Sequence, residues 1–337
     1  MKIAMIDPEK PVEDPQEFYG QQAVVRRIFS RIGAERPQSV AVIGGIKTGK
    51  TSLLNYIAHE HTRAQHLDQL ESYFFCHVNA AEALFHDSES FVRGVHQLLA
   101  AGQNPESTET GNYYNSLQKI VETYHGQERK IIFLLDDFHL ITSNSNFPLE
   151  FFSFLRSLAN NYNLAYVTSS FLELQKLCVI KDIEESPFFN IFTNLSLGPL
   201  SIEEGMKLLE KLTGDQSSAL EPIVSWCGTF PYILKTAARV LMENQSGTNG
   251  APEKTLLPAL APYFEKVLAI LPPEALNPLK SIARKKSPDP REAHVLRPLI
   301  KQGFLLETDS GIEAFAPSLN AYLRKSLSKK ILKGGNG

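Results

Sequence analysis

The sequence has few cysteines and no long apolar run. Its 337 residues include three cysteines, Cys76, Cys178 and Cys227, an odd number spread through apolar segments. Apolar runs stay well short of the roughly 20 residues that cross a bilayer, and the acidic, Pro-rich start has no signal-peptide core. These absences exclude a disulfide framework and a helical membrane protein, and they predict a cytoplasmic protein with reduced thiols.

Sequence repeats and the motifs of several common catalytic and metal sites are also missing. No segment repeats with a period of roughly 20–50 residues, which excludes a solenoid or a propeller. No Ser-His-Asp or Cys-His arrangement rises above chance. His59, His61 and His66 lack the spacing of a helical zinc site, so we interpret them as a solvated helix end. The aromatic residues 151–154 (FFSF) are interpreted as core packing rather than as a base-stacking surface.

The charge is distributed unevenly. The net charge is −3, yet residues 256–337 hold, by count, 13 Lys and Arg against 7 Asp and Glu. An acidic body therefore precedes a basic C-terminal segment, which permits contact with nucleic acid without requiring it. The length suits two or three domains of about 100–200 residues each.

Five short apolar runs, rich in β-branched and aromatic residues, predict buried strands. They cover residues 39–43, 73–78, 131–135, 164–168 and 193–197. Helical patterns alternate with them and cover residues 21–33, 50–61, 88–101, 113–124 and 149–160. Because runs that are apolar on both faces suit a covered parallel sheet, we predict an α/β domain with helices on both faces of the sheet. The polar residues 102–111 predict a surface loop.

From Ser201 onward the pattern is helical. Ser201 and Glu204 form a capping box that opens a helix, and a Gly/Asn/Ser-rich linker is predicted at 244–253. The further predicted helices cover residues 217–226, 231–243, 256–271, 274–285 and 291–302. Two short runs on either side of residues 309–311 then predict a hairpin. Three helices followed by a hairpin are typical of a winged-helix domain.

A glycine-rich segment after the first predicted strand carries the main functional signal. Residues 44–51 (GGIKTGKT) match G-x-x-x-x-G-K-[ST], with a buried strand before them and a helix after them. This arrangement directs backbone N–H groups and a helix dipole at a β-phosphate. Lys50 is predicted to bridge the β- and γ-phosphates, Thr51 to ligate Mg²⁺, and Ser52 to reach the α-phosphate. The predicted nucleotide-binding residues of this Walker A loop are Gly44, Lys47, Thr48, Gly49, Lys50, Thr51 and Ser52.

An acidic pair follows the third predicted strand. The segment that starts at Lys130 (KIIFLLDD) is an apolar strand ending in two carboxylates, a Walker B pattern. Asp136 is predicted to hold Mg²⁺ through water, and Asp137 to orient or deprotonate the attacking water. Adjacent carboxylates repel each other unless a cation lies between them, which is the physical reason to expect the metal. Asp137 is one methylene shorter than the glutamate commonly used for this role, so we expect slow hydrolysis.

Together with shorter segments, these motifs resemble the STAND-class P-loop ATPases, a branch of the AAA+-like NTPases, over nearly the whole chain. The resemblance implies that Phe18 and Tyr19, in the segment EFYG, cover the adenine. It implies that Ser169 or Thr168, at the end of a strand, senses the γ-phosphate. It also implies that Pro231, in the segment GTFP, packs on the nucleotide.

The resemblance further implies an order of domains. A nucleotide-covering segment (1–20) precedes a P-loop NTPase domain (21–200) and a helical lid (201–248). A winged-helix domain (254–330) and a flexible tail (331–337) follow.

The chain also departs from the family pattern. Gln21 stands where relatives carry an arginine, and residues 315–318 (FAPS) lack the histidine that immune relatives place against ADP. A tight ADP-locked state is therefore not expected. No arginine finger can be assigned from the sequence; Arg156, on the helix after the Walker B segment, is a candidate, and an ordinary surface arginine is the favoured interpretation.

The first hypothesis is a cytoplasmic ATPase with Mg²⁺ and ATP or ADP as cofactors, in which Lys50, Asp137 and Ser169 are catalytic. Its ATP form is expected to oligomerise or to recruit a partner protein, and the chain is expected to be a fragment or a core that works with separate partners. The alternative is a nucleic-acid-binding AAA+ ATPase of replication-initiator type that docks a winged helix on DNA. A third class is an interaction module that binds nucleotide without turnover. The resemblance implies adenine rather than guanine as the base, and no guanine-reading motif such as NKxD is evident.

Overall fold

A five-stranded parallel sheet organises the first part of the protein. The computed structural model describes residues 6–82, 86–102, 112–216, 218–243 and 252–333. The strands of the sheet run in the order β2-β3-β4-β1-β5, and a two-stranded antiparallel sheet, β6-β7, follows later in the chain. The strands are β1 Ser39–Ile43, β2 Tyr73–Asn79, β3 Lys130–Asp136, β4 Leu164–Ser170, β5 Phe192–Ser196, β6 Leu305–Thr308 and β7 Gly311–Ala314.

Helices connect the parallel strands and then continue alone. Those up to the last strand of the parallel sheet are α1 Gln22–Ile32, α2 Lys50–Ala58, α3 Glu60–His66, α4 Ser88–Ala101, α5 Tyr113–Gly126, α6 His139–Thr142, α7 Leu149–Asn161 and α8 Lys181–Glu184. Those that follow are α9 Ile202–Thr213, α10 Glu221–Cys227, α11 Pro231–Glu243, α12 Pro252–Leu268, α13 Leu276–Ala283, α14 Pro290–Ala293, α15 Arg297–Lys301 and α16 Pro317–Lys333.

The chain divides into two compact units. We call Val12–Gly44 together with Lys50–Ser196 the sheet unit, since it holds the parallel sheet. We call Met1–Pro11, Gly45–Gly49 and Leu197–Gly337 together the helical unit. The glycine-rich segment thus contributes its first residue and its last two to the sheet unit, and its tip to the helical unit.

The sheet unit has a core of buried apolar strands. Every residue of β1 and β4 is buried, as expected of central strands in a parallel sheet that helices cover. Helix α1 packs against β1, α2 against β3 and β4, and α7 against β4. On one side of the sheet the aromatic residues Phe147, Phe151, Phe152 and Phe188 are fully buried, so the segment 151–154 packs in the core as predicted. The parallel α/β prediction is confirmed.

The helical unit is built on α9, α11, α12 and α16. Helix α11 packs against α9 and α12, and α16 packs against α12 and α13. The predicted capping box begins α9, with the Glu204 N–H donating to Ser201 Oγ at 3.1 Å and the Ser201 N–H to the Glu204 carboxylate at 3.0 Å. The order of helices followed by the hairpin β6-β7 also agrees with the sequence. Its interpretation as a winged-helix domain stays a prediction, as do the predicted domain ranges.

Two predicted helices differ from the structure, and a further helix was not predicted. The helix predicted at 50–61 is two helices, because the His59 ring accepts from the His61 N–H at 3.2 Å and caps a new start. The helix predicted at 291–302 is α14 and α15 with a 3₁₀ turn between them. Helix α16 was not predicted, because its Lys- and Ser-rich sequence shows only a narrow apolar stripe that includes Leu319 and Leu323. It runs through Lys333, into the predicted tail.

Other sequence expectations concern the thiols, the membrane and the loops. All three cysteines are free, and burial raises the pKa of each thiol to about 12, so none is a ready nucleophile. Across the part of the chain that the structure describes, no helix is both long and apolar enough to span a bilayer. Residues 103–111 of the predicted loop, 244–251 of the predicted linker and 334–337 of the predicted tail lie outside the described residues.

Candidate functional site

The glycine-rich segment leaves the carboxyl end of β1 and leads into α2. The Gly44 N–H donates to the Ser170 carbonyl at 3.1 Å, which fixes the start of the segment beside β4. Gly49 has φ +100°, a conformation that strains any residue with a side chain, so the motif needs glycine there. Helix α2 begins at Lys50, directly after this turn. Parallel strands end at this edge of the sheet, where α/β proteins commonly bind ligands.

Lys50, Thr51 and Ser52 form the first turn of α2. The Lys50 ammonium donates to the Gly44 carbonyl at 2.9 Å. This bond holds the ammonium group next to the first residue of the glycine-rich segment. Ser52 Oγ accepts from the Val12 N–H at 2.9 Å, so the hydroxyl predicted to reach the α-phosphate also fastens the chain before α1. N–H groups and a positive dipole end make this helix start favourable for an anion.

The acidic pair lies at the end of β3, next to the end of β4. Asp136 is 2% exposed, and its carboxylate accepts a hydrogen bond from the fully buried Ser169 hydroxyl. The same hydroxyl oxygen accepts from the Asp137 N–H at 2.8 Å, and Asp136 Oδ1 accepts from that N–H at 3.1 Å. Asp137 has φ +49°, a left-handed conformation that Asp tolerates better than most residues. Three residues that the sequence predicted separately therefore form one network.

The strand order explains how this network forms. Strand β4 lies between β1 and β3, with Leu135 paired to Thr168 and Val42 paired to Ser169. Ser169 therefore meets the two acids from the neighbouring strand, and the structure assigns it a role in holding them. Its predicted role in sensing the γ-phosphate stays a prediction. Thr168 is fully buried, and its hydroxyl has no hydrogen-bond partner.

The segment predicted to cover the adenine lies against α2. The Phe18 ring stacks on Tyr56 at 4.4 Å between centroids. The Asn55 side chain donates to the Val12 carbonyl at 3.0 Å, so two contacts in the sheet unit fix this segment to the helix that follows the phosphate loop. Tyr19 is half-buried. Adenine contacts by Phe18 and Tyr19 stay predictions.

The tip of the glycine-rich segment packs within the helical unit. The Lys47 ammonium contacts the Glu9 carboxylate at 3.0 Å and the Glu9 carbonyl at 2.9 Å. The Tyr232 hydroxyl donates to the same carboxylate at 2.8 Å, and this bond, followed by Lys47, lowers the pKa of Glu9. Pro231, predicted to pack on the nucleotide, begins α11 one residue before Tyr232. Sequence reasoning missed Glu9 and Tyr232, because no local pattern marks either residue.

His139 is a further residue that sequence reasoning missed. It begins α6 two residues after Asp137, and its Nδ1 lies 3.8 Å from the Asp137 carboxylate. Burial lowers the pKa of His139 and Lys50 lowers it further, while Asp137 and Asp136 oppose that shift. The spacing of two residues from the acidic pair was the available signal.

Oxygen ligands suited to Mg²⁺ are present at the two motifs of the sheet unit. The buried carboxylate of Asp136 and the Thr51 hydroxyl are the hard donors that this ion takes, with water and phosphate oxygens completing its shell. Within the described ranges no group of three or more His, Cys, Asp or Glu forms an all-protein metal site. His61 contacts Gln65, and His66 stacks on Phe29, in agreement with the interpretation of these histidines as a helix end. Arg156 is exposed on α7, and its role as an arginine finger stays a prediction.

Several solved structures have a similar fold. The Walker-type ATPase PABY2304 of Pyrococcus abyssi has a TM-score of 0.66 and 14% identity, with 95% of this chain and 99% of that chain covered. The ORC2 protein of Aeropyrum pernix in ADPNP–ADP complexes has a TM-score of 0.59 and 14% identity, covering 97% and 98% of the two chains. Its ADP form gives 0.58, again at 14% identity, with 99% and 98% covered. At such identities the likeness shows the fold.

The sequence itself carries the family assignment. Comparison with curated proteins gives no match. The family "novel STAND NTPase 2" matches residues 34–255, a span that contains both Walker motifs and extends through α11. Because this span is well over half of the chain, the protein belongs to the novel STAND NTPase 2 family of P-loop NTPases.

Proposed function

We propose that this protein binds ATP with Mg²⁺, hydrolyses it slowly, and acts as a nucleotide-controlled switch of conformation or oligomeric state. The observation that carries the proposal is the hydrogen-bonded network of Asp136, Ser169 and Asp137 at the end of β3, in which Asp136 and Ser169 are buried. It holds two carboxylates at the edge of the sheet where the phosphate loop leaves β1. A buried Asp136 carboxylate next to a partly exposed Asp137, whose backbone N–H the network holds, suits the hydrolysis of a phosphoanhydride.

The proposed chemistry is an in-line attack of water on the γ-phosphorus. The water oxygen forms the new P–O bond while the bond from the γ-phosphorus to the β–γ bridging oxygen breaks, which leaves ADP and phosphate. Asp137 accepts the proton of the attacking water, and Lys50 neutralises charge on the β- and γ-phosphate oxygens. Ser169 holds the Asp137 backbone through the bond to its N–H. Mg²⁺, held by Thr51 and through water by Asp136, would supply charge neutralisation at the phosphates.

The geometry of Asp137 supports slow turnover. Its left-handed backbone favours Asp or Asn over longer side chains, and Asp has a shorter reach than Glu. A switch benefits from slow hydrolysis, because the ATP state must persist long enough to be read. A nucleotide shifts a conformational equilibrium only by its difference in affinity for the two states, so the ATP and ADP forms must contact the protein differently.

Nucleotide binding is tested with Lys50→Ala. A charged hydrogen bond contributes about 1.5–3 kcal/mol, so we expect ATP affinity to fall by roughly 10- to 150-fold while far-UV circular dichroism is unchanged. Lys181→Ala is the matched control, since it removes an exposed lysine on α8. Calorimetric titrations with and without EDTA show whether Mg²⁺ contributes. Equal ATP affinity in Lys50→Ala and the control would refute the proposed site.

The switch is tested by light scattering after size exclusion, with ADP and with a non-hydrolysable ATP analogue. We expect a larger oligomer, or a change in hydrodynamic radius, with the analogue alone. Identical profiles in both nucleotides would contradict the switch and favour a module that binds nucleotide without such an output. The DNA-binding alternative rests on the basic residues near the C-terminus, and it predicts duplex affinity that falls steeply as salt rises.

A further inference from the structure

A buried tyrosine of the helical unit holds a peptide of the phosphate loop. Tyr263 lies on α12 and is 2% exposed, and its hydroxyl donates to the Ile46 carbonyl at 3.0 Å across 217 residues of sequence. Burial raises the pKa of Tyr263 well above its usual value, so the hydroxyl remains a donor at all physiological pH values. The bond holds the direction of the Ile46 carbonyl.

The direction of the Ile46 carbonyl determines where the next N–H points. No described peptide bond is cis, and in a planar trans peptide the C=O and the following N–H point to opposite sides. Tyr263 therefore orients the Lys47 N–H away from α12. Lys47 has φ +60°. This conformation is unfavourable for any residue with a side chain, and it persists only where the surrounding structure enforces it. Inward-facing N–H groups of a Walker A loop are what bind the phosphates.

Contacts on both neighbouring residues reinforce this one. A Cβ added to Gly45 would lie 2.6 Å from the Phe304 ring, so that ring packs directly on the loop. On the other side, Glu9 holds the Lys47 side chain. Tyr232, which holds Glu9, stacks on Tyr263 with 4.6 Å between centroids. Three consecutive residues of the loop tip are thus fixed by one aromatic cluster of the helical unit.

We propose that Tyr263 is a positioning residue for nucleotide binding, whose hydroxyl orients the Ile46–Lys47 peptide so that its N–H faces the β-phosphate. The inference rests on the proposed function, because it requires that the loop binds a nucleotide. It assigns to α12, far from the Walker motifs in sequence, a direct effect on phosphate affinity. Through this bond, any movement of α12 changes the phosphate site.

The test compares Tyr263→Phe with a matched control, Tyr166→Phe. The Tyr166 hydroxyl is equally buried and donates to the Leu155 carbonyl at 2.9 Å in the sheet unit. Each variant removes one hydroxyl and one hydrogen bond from a buried site. The two are therefore expected to lower the melting temperature by similar amounts. Both are assayed below their measured melting temperatures, so that loss of folding does not enter the affinities.

The decisive readout is the ratio of ADP to AMP affinity, since AMP has no β-phosphate. For Tyr263→Phe we expect ADP affinity to fall about 3- to 10-fold, with AMP affinity unchanged and Tyr166→Phe like wild type. Unchanged ADP affinity, an equal fall for ADP and AMP, or the same fall in Tyr166→Phe would overturn the inference. The Lys50→Ala titration separates the two proposals, because it tests the loop itself. If wild type binds ADP and Lys50→Ala binds it at least about 10-fold more weakly, the proposed nucleotide site stands whatever Tyr263→Phe does.

Discussion

Asp137 illustrates how a single residue combines conformation with chemistry. Its N–H is held by two acceptors, and its backbone is left-handed, a region in which Asp and Asn are enriched several-fold among non-glycine residues. The hydrogen bonds offset the cost of that conformation, which is of order 1–3 kcal/mol for a strained backbone. The choice of Asp over Glu therefore has a conformational reason beside the catalytic role that we propose for Asp137.

Asp137→Asn isolates the catalytic part of that role. Asn tolerates the left-handed conformation and keeps the size of the side chain, but it does not accept a proton from water. We expect the single-turnover rate of ATP hydrolysis to fall by roughly 100-fold or more, with ADP affinity within a factor of about 2 of wild type. Asp182→Asn, on α8, is the control for removal of one carboxylate. Hydrolysis at the wild-type rate in Asp137→Asn would remove Asp137 from the mechanism.

Local motifs and long-range contacts differ in how far sequence reveals them. Lys50, Thr51, Asp136 and Asp137 follow from the spacing of residues around a strand end, so the sequence predicted them. Tyr263 acts on the loop through a hydrogen bond that spans 217 residues, and nothing near it in sequence marks it. The Walker motifs can be recognised from short-range sequence patterns. The residues that hold the loop in its conformation come together only through tertiary packing.

The sequence predicted some helix ends and missed others. The capping box at Ser201 has a recognisable spacing, and α9 begins there. The break between α2 and α3 depends on a histidine acting as an N-cap, for which no common pattern exists. Periodicity therefore located most helices, while one unusual cap determined where α2 and α3 divide.

Ser201→Ala measures what the capping box contributes. Its loss leaves the Glu204 N–H without its side-chain acceptor, so we expect the free energy of unfolding to fall by about 1 kcal/mol. Urea unfolding followed by circular dichroism provides the measurement. Ser30→Ala, at an exposed position inside α1, is the control and is expected to change stability by less than about 0.5 kcal/mol. Equal effects of the two substitutions would show that the cap is not stabilising.

Across the whole molecule, the fold class could be predicted and the strand order could not. Apolar runs that alternate with helical patterns indicate a parallel sheet, but they do not show that β4 lies between β1 and β3. That order depends on long-range packing, and it is what brings Ser169 to the acidic pair. Helix α16 was missed for a related reason. It packs against α12 and α13 within the helical unit, and its Lys-rich sequence does not show this packing.

Buried histidine predicts how the stability of the molecule depends on pH. Burial lowers the pKa of His96, which is 8% exposed, below its ordinary value of 6.5. As the pH falls through that ordinary value, the unfolded chain takes up a proton that the native protein does not. Stability is therefore lost on acidification and is unaffected by His96 at higher pH.

His96→Gln tests this dependence. We expect the difference in unfolding free energy between neutral pH and pH values below the ordinary histidine pKa to be smaller in His96→Gln than in wild type. His61→Gln, at an exposed position, is expected to leave that difference unchanged. Urea unfolding at a series of pH values measures it. The same pH dependence in wild type and His96→Gln would show that His96 is not a source of acid sensitivity.

The contact between Gly45 and Phe304 has a consequence for how the Walker A loop tolerates change. In the G-x-x-x-x-G-K-[ST] pattern the second position accepts any amino acid, yet here a methyl group would already overlap the aromatic ring. Phe304 therefore limits which side chains fit at position 45. In related chains, the permitted side chains at this position are expected to vary with the bulk of the residue that corresponds to Phe304.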